Sequence, residues 1–216
     1  MRKKSNQLIM IAMGGLIVLL VIIIVRQNQP AVAPASPAAT LTQPADTMHD
    51  QPATTNAKTD SFQELLNTPA PDFSLTSLDG TEYSLASLKG KNILLFFNEG
   101  LMCYPACWNQ IVSLAQDQTI NDQAIVLSVV TDNPQDWQKA IEKMPELAKA
   151  TVLFDQGGAV SRQFGMLTAP SSMHPGRFPG HSYLIIDREG TIRYTLDDPK
   201  MGIWNASLIA EISKLN

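Results

Sequence analysis

Cys103 and Cys107 are the two cysteines of a 216-residue chain, and three residues separate them. A bridge closing so small a loop constrains little of the unfolded chain, so its use is chemical rather than structural. If the pair lies on one helical turn, its Cα atoms are about 6 Å apart, inside the usual disulfide range. One sulfur can then attack a substrate and the other can resolve the mixed disulfide. Cys103, further from the helix body, is expected to attack, with Cys107 resolving. Glu99 stands four residues before Cys103 and is a candidate proton acceptor, since thiol exchange needs one.

The elements that must position these residues are legible around them. Ile93 to Phe97 (ILLFF) is a short continuous apolar run, as expected of a central strand buried on both faces. Pro105 then opens a helical pattern through Ile111, Val112, Leu114 and Ala115, because its missing N–H costs nothing in the first turn. Tyr104 is expected near the N-cap, Cys107 in the first turn and Cys103 just outside it. The unpaired N–H groups there favour negative charge, which stabilises a thiolate and lowers a thiol pKa. Chemistry at the C-terminal edge of a sheet is where open α/β folds place their sites.

Further along, Phe73–Leu75 and Tyr83–Leu85 alternate around Asp79-Gly80 and predict a hairpin. Ala124–Val130 and Val152–Phe154 predict buried strands, with a helix through Trp137, Ala140, Ile141 and Met144 between them. Gly157-Gly158 leads into a short helix ending near Gly165. Tyr183–Ile186 and Thr191–Tyr194 flank a second hairpin, and Asn205 is expected to cap a final helix carrying Leu208, Ile209, Ile212 and Leu215. Alternating β and α units imply a parallel central sheet with right-handed crossovers. Trp137 and Trp204 are expected to pack, while Trp108 either walls the site or packs against the sheet.

The N-terminus carries a separate message. Leu8 to Val25 is a run of 18 residues without a charge, preceded by Arg2, Lys3 and Lys4. Its helical length of roughly 27 Å is close to the ~30 Å hydrocarbon core. The bias of basic residues places residues 1–7 in the cytoplasm, residues 8–25 as a single membrane span and the rest outside. A cleaved signal peptide ending near Ala31-Val32-Ala33 is the alternative, and either reading exports the cysteines to a compartment where disulfides persist. Residues 26–61, rich in Pro, Ala and Thr, are expected to form a disordered linker, and residues 62–216 the folded domain. His49 falls within that linker. The formal charge of −4, with no basic patch, argues against a nucleic-acid partner.

Several segments together resemble the alkyl hydroperoxide reductase and thiol-specific antioxidant family, the peroxiredoxin-like redoxins of the thioredoxin superfamily. They are Ala70-Pro71-Asp72-Phe73-Ser74-Leu75, Asp79-Gly80, Ser84-Leu85-Ala86-Ser87-Leu88-Lys89-Gly90-Lys91, and Tyr183 through Arg193. The resemblance covers roughly residues 66 to 196. It implies a thioredoxin-like α/β fold with an N-terminal hairpin extension, a redox-active cysteine centre, a protein disulfide or hydroperoxide as substrate and a thiol electron donor. The family's peroxide loop carries Thr three residues before its cysteine, whereas Gly100 and Tyr104 hold those places here. Its active-site Arg, six residues before the closing-hairpin Asp187, is replaced by His181. General dithiol exchange survives these departures better than strict peroxidase activity.

In the thioredoxin register His181 faces the cysteine loop, where it would stabilise a thiolate or relay a proton. No cofactor is needed for that chemistry. The alternative is copper: Cys-x-x-x-Cys with a distal His also resembles the membrane-anchored SCO copper chaperones, which would use Cys103, Cys107 and His181 as ligands, with Met102, Met173, His174 and Met201 as further candidates.

Overall fold

The computed structural model describes residues 64–216. The expected cytoplasmic tip, membrane span and linker lie outside the described residues. Among the described residues no helix is long and apolar enough to cross a membrane.

Two short strands, β1 (Ser74–Thr76) and β2 (Glu82–Ser84), form the predicted hairpin, with Ser74 opposite Ser84. The central strand β3 (Ile93–Phe97) is followed by a 3-10 turn (Gly100–Cys103), helix α1 (Ala106–Gln116) and a single-turn helix α2 (Gln118–Asn121). Strand β4 (Ile125–Val130), helix α3 (Pro134–Lys143), strand β5 (Val152–Phe154) and helix α4 (Ala159–Gln163) come next. The closing hairpin is β6 (Ser182–Ile186) with β7 (Ile192–Asp197), followed by helix α5 (Asn205–Ile212) and a 3-10 turn (Ser213–Leu215).

The other five strands make one sheet in the order β5-β4-β3-β6-β7. The pairs β3/β4 and β4/β5 are parallel, while β6 and β7 run antiparallel. Successive side chains of a strand point to opposite faces, and β3 divides accordingly. Leu94 and Phe96 pack with Trp108, Ile111 and Leu114 of α1 and with Trp137 of α3. Ile93, Leu95 and Phe97 pack with Phe73, Leu88 and Phe164 on the other face. All five β3 residues are buried, so the strand that carries the cysteine turn is covered by apolar side chains on both faces.

Two local expectations need correction. Helix α1 has Pro105 rather than Tyr104 at its N-cap, a shift of one residue. Asn205 does not cap α5 but is its first helical residue, with Trp204 at the cap position. Its amide is engaged elsewhere: Nδ2 donates to the Ser113 carbonyl at 3.1 Å and to Asp117 Oδ2 at 2.8 Å, and Oδ1 accepts from Gln110 Nε2 at 3.3 Å. These partners on and beside α1 outcompete the local capping bond and dock the last helix beside the cysteine helix.

Candidate active site

The cysteine turn is fixed by bonds to its backbone on several sides. The Gly100 N–H donates to Asn98 Oδ1 at 2.9 Å, and the Gly100 carbonyl accepts from Trp108 Nε1 at 3.1 Å. The Leu101 N–H donates to Asp132 Oδ2 at 3.0 Å, and the Met102 N–H to the Glu99 carbonyl at 3.2 Å. Gly100 has φ +58, and a Cβ there would lie 1.7 Å from Asp132 Oδ2, so any side chain would displace that carboxylate. Trp108 thus both closes the turn and packs, with the Tyr104 ring edge-on at 4.9 Å.

Cys103 and Cys107 form a disulfide, with Cα atoms 5.4 Å apart. Cys107 lies in the first turn of α1 and Cys103 just before it, as the spacing predicts. No side chain caps that helix, so its first N–H groups are left to favour negative charge on sulfur. Cys107 is 0% exposed and Cys103 3%. Cys103 is therefore the slightly more exposed of two buried residues, and the Met201 thioether lies against it with Sδ 3.6 Å from its Sγ.

Met201 reaches that position from the loop after β7. It has φ +52, in the left-handed region that a side chain with a Cβ adopts only under constraint. The constraint is the buried carboxylate of Asp198. Its Oδ1 accepts from the Lys200 N–H at 3.0 Å, and its Oδ2 accepts from the Gly202 N–H and from Trp204 Nε1, both at 2.6 Å. The Met201 N–H donates to the Asp198 carbonyl, and the Asp198 N–H to the His181 carbonyl. Burial raises the Asp198 pKa, but the donors from Gly202, Trp204 and Lys200 and the nearby His181 outweigh it and hold the carboxyl below its usual range.

His181 is 1% exposed and packs edge-on against two stacked aromatic rings, Phe96 at 4.7 Å and Tyr183 at 5.5 Å. Its Nδ1 is 3.6 Å from Asp198 Oδ2, and neither ring nitrogen makes a hydrogen bond. Burial pushes its pKa down to about 4, against the opposing pull of Asp198. At neutral pH it is an uncharged imidazole. The Tyr183 hydroxyl is likewise buried without a partner, and burial pushes its pKa up.

Glu99 is buried and commits its carboxylate to the segment after Ser171. Oε1 accepts from the N–H groups of Met173 (2.6 Å) and His174 (3.1 Å) and from Ser172 Oγ (3.3 Å), and Oε2 lies 3.0 Å from His174 Nδ1. The structure thus joins Cys103 to Cys107 and to Met201, while Glu99 bonds into the Ser172–His174 segment and the His181 ring is packed without a hydrogen bond. Met102 and Met173 are exposed. Among the described residues no three His, Cys, Asp or Glu side chains are grouped to hold a metal ion.

Sequence reasoning missed Asp132 and Asp198. Asp132 is half-buried, and burial raises its pKa to about 6, against the hydrogen bond from Leu101. The neighbouring Asn133 takes the N-cap of α3, its Oδ1 accepting from the Gln135 N–H at 2.8 Å, which leaves Asp132 to face the turn. The signal for Asp198 was its turn chemistry: Asp-Pro-x-x-Gly follows a strand, and Asp readily bonds backbone N–H groups ahead of it.

A disulfide at a β-to-α turn, on a five-stranded sheet with parallel and antiparallel halves, defines a thioredoxin-like redox fold. The AhpC/TSA family model matches residues 66–195, and the chain belongs to that family. It is 28% identical over 130 residues to peroxiredoxin Q, chloroplastic, of Gentiana triflora, covering 57% of this chain and 54% of that one. The chain spans about half the length of that curated relative. Among solved structures it resembles Enterococcus faecalis AhpC (TM-score 0.59, 20% identity, covering 69% of this chain and 91% of that one). It also resembles the exposed lipoprotein thioredoxin of Streptococcus pneumoniae (TM-score 0.51, 22% identity, 67% and 100%). These likenesses carry the fold.

Proposed function

We propose that the chain is a thiol–disulfide oxidoreductase, anchored in the cell membrane through residues 8–25 with its N-terminus cytoplasmic and its cysteine domain outside. The observation that carries the reading is the Cys103–Cys107 bond at the start of α1. In the reduced protein the Cys103 thiolate attacks a substrate disulfide. A Cys103–substrate disulfide forms, and the departing thiolate takes a proton. Cys107 then attacks Cys103 Sγ, the substrate leaves as its second thiol, and the Cys103–Cys107 bond closes. Two electrons pass from the chain to the substrate, and a thiol donor returns them. With a hydroperoxide, Cys103 would take the distal oxygen as a sulfenic acid and release an alcohol. Condensation with Cys107 would then release water. Gly100, Tyr104 and His181 at the family's Thr and Arg positions favour the disulfide substrate. His181 is assigned as an uncharged residue packed on Phe96 and Tyr183 rather than a thiolate-stabilising cation, and Glu99 as the holder of the Ser172–His174 segment.

The test uses the reduced full-length chain and insulin as a disulfide substrate. Wild type should turn over. Cys107→Ser should trap a reducible covalent adduct, and Cys103→Ser should neither trap nor turn over. Turnover retained without Cys103 would sink the reading.

A further inference from the structure

We propose that the reduced site is also a Cu(I) site built from three sulfurs: the Cys103 and Cys107 thiolates and the Met201 thioether. The proposal rests on the same two thiols as the exchange reading, but its third ligand is a residue that exchange does not require. The Sδ of Met201 already lies 3.6 Å from Cys103 Sγ, and Cys103 and Cys107 sit with Cα atoms 5.4 Å apart. Thiolate and thioether are the soft ligands that select Cu(I) over harder cations. Packing alone does not account for the placement, because an ordinary apolar contact does not demand a left-handed backbone. Met201 has φ +52, and the Asp198 carboxylate, bonded to Lys200 and Gly202 on either side of it, holds it there. Strain kept by such over-determined bonding is typical of ligand-holding positions.

Charge agrees with this donor set. Two thiolates and one Cu(I) leave a single negative charge at the uncapped start of α1, where unpaired N–H groups favour it. Two further thioethers, Met102 within the turn and Met173 on the segment bonded to Glu99, are exposed. They offer soft, weakly held contacts through which the cation can arrive. The Met201 thioether touches Cys103, whereas His181 Nδ1 lies 3.6 Å from the Asp198 carboxylate, so the thioether is assigned as the third ligand.

The step balances simply. A thiol or phosphine reductant delivers two electrons and opens the disulfide to two thiols. Cu(I) then binds as two protons leave.

The experiment is anaerobic titration of the reduced full-length chain in detergent with Cu(I), in competition with a chromophoric Cu(I) chelator. Copper-edge X-ray absorption on the selenomethionine-labelled protein accompanies it. The expected result is one Cu(I) per chain and a copper shell of two sulfurs and one selenium. Met201→Leu should lose the selenium and weaken binding by roughly tenfold or more. The selenium signature in the unmutated chain keeps the test valid if the variant folds poorly. Binding no tighter than in a Cys103→Ser/Cys107→Ser chain would overturn the proposal. So would a nitrogen in place of selenium, or Met201→Leu binding as wild type does. Insulin reduction by the same metal-free preparation separates the two readings. Loss of copper binding with exchange intact overturns only the copper site, whereas loss of exchange overturns the function on which it rests.

Discussion

Two carboxylates, Asp132 and Asp198, flank the cysteine turn and end with opposite pKa shifts. Asp132 bonds the turn from the end of β4, through the Leu101 N–H. Asp198 shapes the loop after β7 that sets Met201 on Cys103. Burial raises the pKa of each as the largest influence. Asp198 meets it with donors from Lys200, Gly202 and Trp204 and with the neighbouring His181, and is held low. Asp132 has the Leu101 N–H, while Asp136 adds like charge, and it is pushed up to about 6. The difference teaches that the donors set against burial decide whether a carboxylate beside this turn is a fixed anion or a group that titrates near neutrality.

The sharpest way to break the comparison is Asp198→Ala. Two backbone N–H groups and the Trp204 indole N–H lose their acceptor, and unmet buried donors cost about 1–3 kcal/mol each where water cannot replace the bond. A loss of about 3 kcal/mol in urea unfolding is expected, with unchanged m. Dithiothreitol should also reduce the Cys103–Cys107 bond several-fold faster, because Met201 no longer covers Cys103. Stability and reduction rate both within error of wild type would show that the loop is held by something else.

His181 sharpens the comparison from the other partner of Asp198. Its pKa falls from 6.5 to about 4 on folding, with burial the leading cause. Between those values the unfolded chain binds the extra proton. The stability associated with a neutral His181 is therefore full above about pH 6.5 and is lost as pH falls toward 4. Chemical unfolding at pH 7.5 and pH 4.5 should show His181→Phe losing about 2 kcal/mol less than wild type over that interval. Equal losses in the two proteins would mean that His181 is charged in the folded state, paired with Asp198.

Most of the framework was legible in the sequence, and the reason is physical. ILLFF has no polar residue to expose, so it had to be a central strand, and the 3.6-residue pattern after Pro105 had to be a helix packed upon it. Those two assignments alone bring Cys103 and Cys107 to a β-to-α turn. What lay hidden depends on long-range partners. Asn205 looked like a cap but bonds Ser113 and Asp117 of a distant segment. Glu99 looked like a loop carboxylate free to move protons but is buried against Ser172, Met173 and His174, more than seventy positions away. Met201 was legible only as a candidate soft ligand, and its backbone conformation and its contact with Cys103 depend on a carboxylate whose role no periodicity reveals.

The smallest expected effect, and the one most specific to the comparison, belongs to Asp132→Asn. The folded pKa of about 6 lies above the ordinary carboxyl value of 3.8, so between these values the folded chain holds the proton. The penalty for ionising Asp132 is absent below about pH 3.8 and complete above about pH 6. Asn keeps an oxygen for the Leu101 N–H and removes the charge. The variant should match wild type at pH 4 and exceed it by about 1 kcal/mol at pH 7.5, an increment discounted from the full shift because the side chain is only half-buried. The same substitution removes the repulsion from Asp136. Asp136→Asn is therefore the control, and it should recover only a minor part of the gain. If Asp132→Asn is instead less stable than wild type at pH 7.5, the ionised carboxylate is a net support of the turn. Asp132 would then behave like Asp198, and the distinction between one donor and several would fail.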